Sequence, residues 1–397
     1  MKHVYIIGTC DTKHTEILYV RNLLFSQGIS TCIVDVGIYE RMLPPDIGNV
    51  VHLREKQLDV FADITDRGKA LALMGTLLEE FLVEHQKDIS GVIGLGGSGN
   101  TAIVTRGMRA LPVGLPKLMV STVASGDVAP YVGASDICMM PSVADVQGLN
   151  IITRKILGNA AHALAGMVQH PIPEEKENRT LVGMSMFGVT TPCVQQVCAL
   201  LPEQYEPLVF HATGTGGKAL EKLIDSGMVS LAIDITLTEI CDLFMGGVMS
   251  AGDDRLGAVI RTGIPYVGSV GALDMVNFAA MSTVPEKYRE RNLYVHNENV
   301  TLMRTTVEEN AAMGRWIGER LNLCTGKVRF LLPEGGISAI DAPGMPFYDP
   351  EADAALFKAI EQTVKQTDTR RIIRVPHHLT APEFAEAVRT HFLEAIG

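Results

Sequence analysis

Short apolar runs alternate with longer stretches of helical periodicity along the whole chain. The runs Val4–Gly8, Thr31–Val36, Gly91–Leu95, Lys117–Ser121, Leu181–Met186, Leu208–His211, Leu231–Ile235, Tyr266–Ser269, Val328–Leu332 and Ile372–Val375 predict strands. Most are apolar at successive positions, the pattern of a parallel sheet covered on both faces. Between them, Thr12–Ser26, Lys69–His85, Thr101–Ala110, Leu149–Val168, Pro192–Leu200, Lys218–Ser226, Val307–Leu321, Pro350–Val364 and Pro382–Ala395 predict helices. Alternation of the two implies βαβ crossovers and an α/β fold throughout.

The clearest interruption is HPIPEEKENRT, residues 170–180, where two prolines and a charge cluster separate a long helix from a fresh strand. It divides the chain into 1–172 and 178–397. Each part opens with a strand, a small-polar turn and a helix: YIIGTCDTKHTEILYVRNLL and VGMSMFGVTTPCVQQVCALL. This weak likeness predicts two Rossmann-like lobes with mainly parallel sheets, facing each other across a cleft. GGISAIDAPGMP (Gly335–Pro346) is too rich in Gly and Pro for regular structure. It reads as an ordered loop near the cleft or as a surface excursion.

Composition narrows the partners. Lys and Arg number 34 against 45 Asp and Glu, a net charge of −11, with no basic block. Nucleic acid is therefore not expected as a partner. A small anion remains open, because backbone N–H groups bind phosphate without a basic surface. The first apolar run is too short for a signal peptide or a membrane span. Seven scattered cysteines contain no C-x-x-C, which fits reduced thiols in a cytoplasmic protein. Cys10 alone stands in a loop of interest.

The candidate chemistry begins at GVIGLGGSGNTAIVTRGM, Gly91 to Met108. A strand, a glycine turn and a helix N-terminus form a phosphate cradle: the backbone can approach an anion, and free N–H groups and the helix dipole point at it. Gly96, Gly97, Ser98, Gly99, Asn100 and Thr101 would make the contacts. The plainer reading is a tight βα turn. Gly94, Gly96 and Gly99 satisfy G-x-G-x-x-G, but on about the third strand rather than the first and with no acidic residue near position 120. A plain NAD fingerprint is therefore not indicated. No Gly-Lys-Ser/Thr follows, which excludes a Walker A loop, and Asn100 breaks the nucleophile elbow.

Ligands of open α/β sheets bind outside the carboxyl ends of strands. The first lobe places Thr9, Asp11, Thr12 and Lys13 there, then Asp35, then Thr122, Ser125 and Gly126. Lys13 suits a phosphate, Asp11 a metal or hydroxyl, and Asp35 a ribose. Helix capping is the alternative for both acids. The second lobe repeats the strand–glycine turn–helix as FHATGTGGKALEKLI, with Thr213, Gly214, Thr215, Gly216, Gly217 and Lys218 as a second anion nest. His211, Asp234 and Glu239 stand at strand ends as candidate acid/base groups, with structural roles as the alternative. Arg304 can pair with an acidic substrate. No metal motif of fixed spacing is present.

The blocks GTCDTKHTE, GLGGSGNTA, PSVADVQGLN, FHATGTGGKALE, GGVMSAGDDRLGA, GALDMVNF, HNENVTLMRTT, LLPEGGISAIDAPGMPFYDPEADAALF and VPHHLTAPEFA resemble, in order, a bacterial uncharacterised protein family. That family is similar to the N-terminal ATP-binding domain of the tomato mosaic virus resistance protein. The resemblance implies a two-lobed α/β fold, ATP binding on the CDTK and GLGGSGNT loops, and a homodimer. In the plant relative the ATP-binding domain binds a viral replication protein, a role not carried over to this chain.

Three readings follow. One is a nucleotide-dependent enzyme, with ATP and Mg²⁺ on the first lobe and a small acidic or sugar-like metabolite in the inter-lobe cleft. Another is a non-catalytic ATP-binding regulator of a protein partner. The third is a nucleotide-independent hydrolase or lyase of a phosphorylated metabolite.

Overall fold

The computed structural model describes residues 2–38, 50–54, 61, 64, 66–172 and 179–397. The chain divides into two compact units, Met1–Glu175 and Lys176–Gly397. Most of the charged linker expected over 170–180 lies outside the described residues.

The first unit runs β1 (His3–Gly8), α1 (His14–Ser26), β2 (Thr31–Asp35), β3 (Val50–His52), α2 (Arg67–Glu84), β4 (Ile89–Gly96), α3 (Ser98–Ala110), β5 (Lys117–Ser121), α4 (Ala129–Val132), β6 (Cys138–Pro141) and α5 (Ile151–Gln169). Its six strands pair in the order β3-β2-β1-β4-β5-β6, all parallel. Successive strand residues supply opposite faces. Val4, Ile6, Ile33 and Ile93 pack with Ile17, Leu24, Leu157 and Ala161 of α1 and α5. Tyr5, Ile7, Val34 and Val92 pack with Met74, Leu78, Ile103 and Val104 of α2 and α3. The unbroken apolar runs are the two faces of one covered sheet.

The second unit holds β7 (Thr180–Met186), α6 (Thr191–Leu200), β8 (Tyr205–His211), α7 (Thr215–Asp225), β9 (Leu231–Thr236), α8 (Thr238–Met245), α9 (Gly257–Thr262), β10 (Tyr266–Gly271), β11 (Met275–Phe278), β12 (Leu293–Asn297), β13 (Val300–Arg304), α10 (Val307–Leu323), β14 (Val328–Pro333), α11 (Pro350–Thr363), β15 (Arg370–Val375) and α12 (Pro382–Ile396). Its main sheet is also six-stranded and parallel, in the order β15-β14-β10-β9-β7-β8.

Both units are Rossmann-like, yet they are wound differently. In the first, the order reverses between β1 and β4. In the second it reverses between β7 and β9, so the glycine loop after β8 follows an edge strand. The opening strand–turn–helix likeness therefore does not extend to the topology. The second unit also adds a small antiparallel sheet, β11-β13-β12, absent from the expected elements.

The Gly335–Pro346 loop is ordered. Ile337, Ser338 and Asp341 are fully buried, Asp341 Oδ2 accepts from the Ile337 N–H at 2.8 Å, and His378 Nε2 lies 3.1 Å from the carbonyls of Ser338 and Asp341. Among the described residues no helix is long and apolar enough to cross a membrane.

Candidate functional site

The first glycine loop ends β4 at the point where the first sheet reverses its order. There the loops after β1 and β4 leave in opposite directions, and a crevice opens outside the strand ends. It is a cleft of about 300 Å³ lined by Thr9, Asp11, Thr12 and Lys13 from the β1 loop and by Gly97, Ser98, Gly99 and Asn100 from the β4 loop. Val36, Ile38, Arg67, Leu71 and Asp145 complete it.

Local chemistry explains the loop. Gly96 has φ +151°, and a Cβ there would lie 2.9 Å from Asn100 Cβ, so only glycine turns the chain this tightly. Gly97 is different: an added Cβ would meet nothing nearer than Thr122 Oγ1 at 3.8 Å. That position is open toward the neighbouring loop. The first turn of α3 has no side-chain cap, so its N–H groups keep their capacity for an anion. Asn100 is 8% exposed; its Nδ2 donates to the Leu95 carbonyl at 2.6 Å, but its Oδ1 is buried with no partner in the protein. Asp11 Oδ1 is likewise buried and unpartnered. Buried polar atoms are normally satisfied, so these two acceptors beside the cleft have capacity left for further donors.

Other sequence candidates in this lobe are structural. Asp35 does not line the cleft. Its Oδ1 accepts from the N–H groups of Cys10 and Gly37, each at 2.9 Å, and its Oδ2 pairs with His52 Nδ1 at 2.9 Å. These bonds tie the β1 and β2 loops together and leave no face for a ribose. Thr101 is fully buried, with Oγ1 bonded to the Gly97 carbonyl and to Ser121 Oγ. It braces the turn from behind. Gly126 lies in a turn, its N–H donating to the Val123 carbonyl at 3.1 Å. Cys10 is fully buried, and burial with Asp35 alongside pushes its thiol far above the ordinary range, so it is no nucleophile here. Thr122 and Ser125 line a second compartment that shares Gly97, Ser98 and Asp145 with the first.

The second glycine loop already holds an anion, and the anion is its own. Glu239 Oε1 accepts from the N–H groups of Gly214 and Gly217 at 2.7 and 3.0 Å. A Cβ on Gly217 would lie 2.1 Å from Glu239 Oε2. Arg255 completes the cluster: its Nε donates to Glu239, its two terminal nitrogens fork onto Asp234, and Nη1 also reaches Glu221. Tyr266 donates to Asp234 at 3.1 Å. Burial opposes the charge on Arg255, but Asp234 and Glu239 outweigh it and hold the guanidinium protonated well above its usual range. Asp234 and Glu239 are therefore counter-ions of a buried arginine, at 1% exposure each, rather than acid/base groups.

Arg304 is also spent internally, on the Phe347 and Asp349 carbonyls, Thr305 and Asp353, and does not present a charge to a substrate. His211, Thr215 and Lys218 stay exposed, Thr213 is half-buried, and Gly216 packs against the His211 backbone. Among the described residues, no cluster of three or more His, Cys, Asp or Glu side chains is arranged as a metal cage.

Two family models match the chain, one to each of its two units. The N-terminal domain model of the uncharacterised protein family UPF0261 matches residues 2–173, and the C-terminal domain model matches 179–396. The chain belongs to UPF0261. Full-length relatives include a UPF0261 protein of Rhizobium meliloti (strain 1021), 54% identical over 98% of this chain and 97% of that protein. Another, of Clostridium tetani (strain Massachusetts / E88), is 46% identical with the same coverage. The ToMV resistance protein Tm-1(GCR237) of Solanum lycopersicum is 41% identical over 98% of this chain and 55% of the plant protein. A solved structure titled as a putative UDP-N-acetylglucosamine 2-epimerase from Listeria monocytogenes shares 10% identity and a TM-score of 0.20 over 68% of this chain and 79% of that one, a likeness that carries no argument.

Within this UPF0261 chain, sequence reasoning missed Asp145, Arg67 and the apolar wall of Val36, Ile38 and Leu71. Asp145 follows β6, whose sequence CMMP is too short and too rich in methionine to read as a strand. The block PSVADVQGLN was the available signal.

Proposed function

We propose that the first lobe binds ATP in the cleft between the β1 and β4 loops, and that the protein uses the nucleotide to act on a small metabolite. One observation carries this: a glycine turn and an uncapped helix N-terminus stand at the reversal point of a β3-β2-β1-β4-β5-β6 sheet, with Lys13 on the opposing loop. The phosphates rest on the N–H groups from Gly97 to Asn100, with Lys13 and Ser98 as further donors. Val36, Ile38 and Leu71 offer an apolar wall to the adenine. Asn100 Oδ1 and Asp11 Oδ1 accept from ligand hydroxyls or from metal-bound water.

Mg²⁺ fits the same donors, since it is held by one or two carboxylates together with substrate phosphates. Asp11 and Asp145 are those carboxylates. The ion neutralises phosphate charge beside two acids that would otherwise repel it.

The test is calorimetry. The chain is expected to bind ATP, and Gly97→Asp to abolish that binding by placing a carboxylate where the phosphates sit. The substitution has room, with the nearest atom to the new Cβ 3.8 Å away, so its melting temperature is expected to match the parent's. Absence of ATP binding in the parent chain contradicts the proposal.

A further inference from the structure

The cleft has a neighbour. On the β5 and β6 side of the phosphate turn lies a compartment of about 700 Å³ that shares Gly97, Ser98 and Asp145 with it. Ligands of open α/β sheets bind outside the carboxyl ends of the strands, and this compartment lies there, bordered by the loops after β4, β5 and β6. The adenine wall of Val36 and Ile38 lies on the β2 side, which leaves the β5 side for something else.

The lining says what. Hydroxyls come from Thr122, Ser125 and Ser142, and the charge comes from Asp145, while among the described residues no Lys, Arg or His lines the compartment. A carboxylic acid here would face Asp145 and the phosphates, and among the described residues the lining supplies no cationic side chain of its own. An uncharged polyol meets Thr122 and Ser125 hydroxyls that can donate and accept, a Ser142 hydroxyl that can accept, and a carboxylate that accepts.

The wall is preformed. The Ser142 N–H donates to the Ser121 carbonyl at 3.1 Å, and its Oγ donates to the Ala144 carbonyl at 2.6 Å. Between them Val143 sits at φ +64°, a conformation that a β-branched side chain rarely adopts, and it is 78% exposed. The arch is held in an unfavourable backbone conformation that shapes the compartment.

We propose that this compartment binds a small, uncharged polyhydroxylated molecule, a free sugar or sugar alcohol, beside the nucleotide phosphates. This places the metabolite on the first lobe, and not on the Gly214–Lys218 loop whose nest Glu239 fills. It deepens the nucleotide reading but does not need it, because the compartment has its own walls.

The experiment is saturation-transfer NMR on the full chain with D-ribose, D-xylose, ribitol and malonate, each with and without ATP. Ala144→Trp fills the compartment from a residue that does not itself line the nucleotide cleft. Saturation of at least one of the three polyols, none of malonate, and loss of the polyol signal in Ala144→Trp with an unchanged ATP titration are expected. Saturation of no polyol, saturation of malonate alone, or a polyol signal unaffected by Ala144→Trp overturns the proposal. Loss of ATP binding in Ala144→Trp also overturns it, since the nucleotide then fills the space. A polyol signal that Ala144→Trp removes, in a parent chain that does not bind ATP, defeats the nucleotide reading and leaves this one standing.

Discussion

Asp11 and Glu239 are both carboxylates just past a strand, and the fold uses them in opposite ways. Asp11 keeps an oxygen buried and unpartnered beside the first-lobe cleft, while both oxygens of Glu239 are consumed by a glycine nest and by Arg255. Nothing local in the sequence separates the two cases. The partner of Glu239 lies sixteen residues on, in a segment whose approach only the tertiary fold dictates. The same holds for Arg304, whose partners Phe347, Asp349 and Asp353 come from a distant loop and helix. Buried charge also makes stability depend on pH. Burial pushes the fully buried Asp274 up to about 7. An unfolded aspartate releases its proton near pH 4. Between those values the folded chain binds more protons than the unfolded one, so this group's contribution falls as pH rises from about 4 to about 7 and is flat above. Asp274→Asn, which can still accept from Ser338, is expected to gain thermal stability relative to the parent across that window, at about 2–4 °C for each kcal/mol recovered. Melting curves at a series of pH values check this; a difference that shrinks as pH rises contradicts it.

At the scale of elements, the two glycine loops look alike in sequence and differ in what surrounds them. The loop after β4 opens at the reversal of its sheet with its helix uncapped, whereas the loop after β8 follows an edge strand and holds Glu239. Strand order comes from which strands pair, and pairing leaves no local trace in a run of apolar residues. The strands and long helices themselves were legible, because apolar runs and amphipathic periods are local. β3 and β6 were not: β3 has only three residues, and β6 has four of which two are methionine, and with it went Asp145. The small antiparallel sheet was missed for a related reason: β11 is buried at every position and carries no alternation. Gly217→Ala tests the role of the second loop. Its Cβ would strike Glu239 at 2.1 Å, so a loss of about 1–3 kcal/mol in unfolding free energy is expected. ATP affinity should be unchanged. A weaker ATP titration at full stability would show that the loop binds nucleotide after all.

At the scale of the molecule, the boundary was legible as a proline- and charge-rich interruption, but the different winding of the two units was not. Each unit has its own hydrophobic cores: Tyr5, Ile103 and Leu157 stand in those of the first, and Tyr266, Phe330 and Phe384 in those of the second. A unit with its own core can fold alone. Every described residue that lines the proposed nucleotide cleft belongs to Met1–Glu175. The excised fragment 1–175 is therefore expected to fold cooperatively and to bind ATP about as tightly as the whole chain. A folded fragment that binds no ATP would mean that the second lobe completes the site. The net charge of −11 offers no general attraction for a nucleotide, so its phosphates depend on backbone N–H groups at one turn. The most direct measurement is a crystal structure with a non-hydrolysable ATP analogue. Phosphate density is expected against the N–H groups of Gly97 to Asn100, with Lys13 beside it. Phosphate density on the Gly214–Lys218 loop, with Glu239 displaced from its nest, would contradict it.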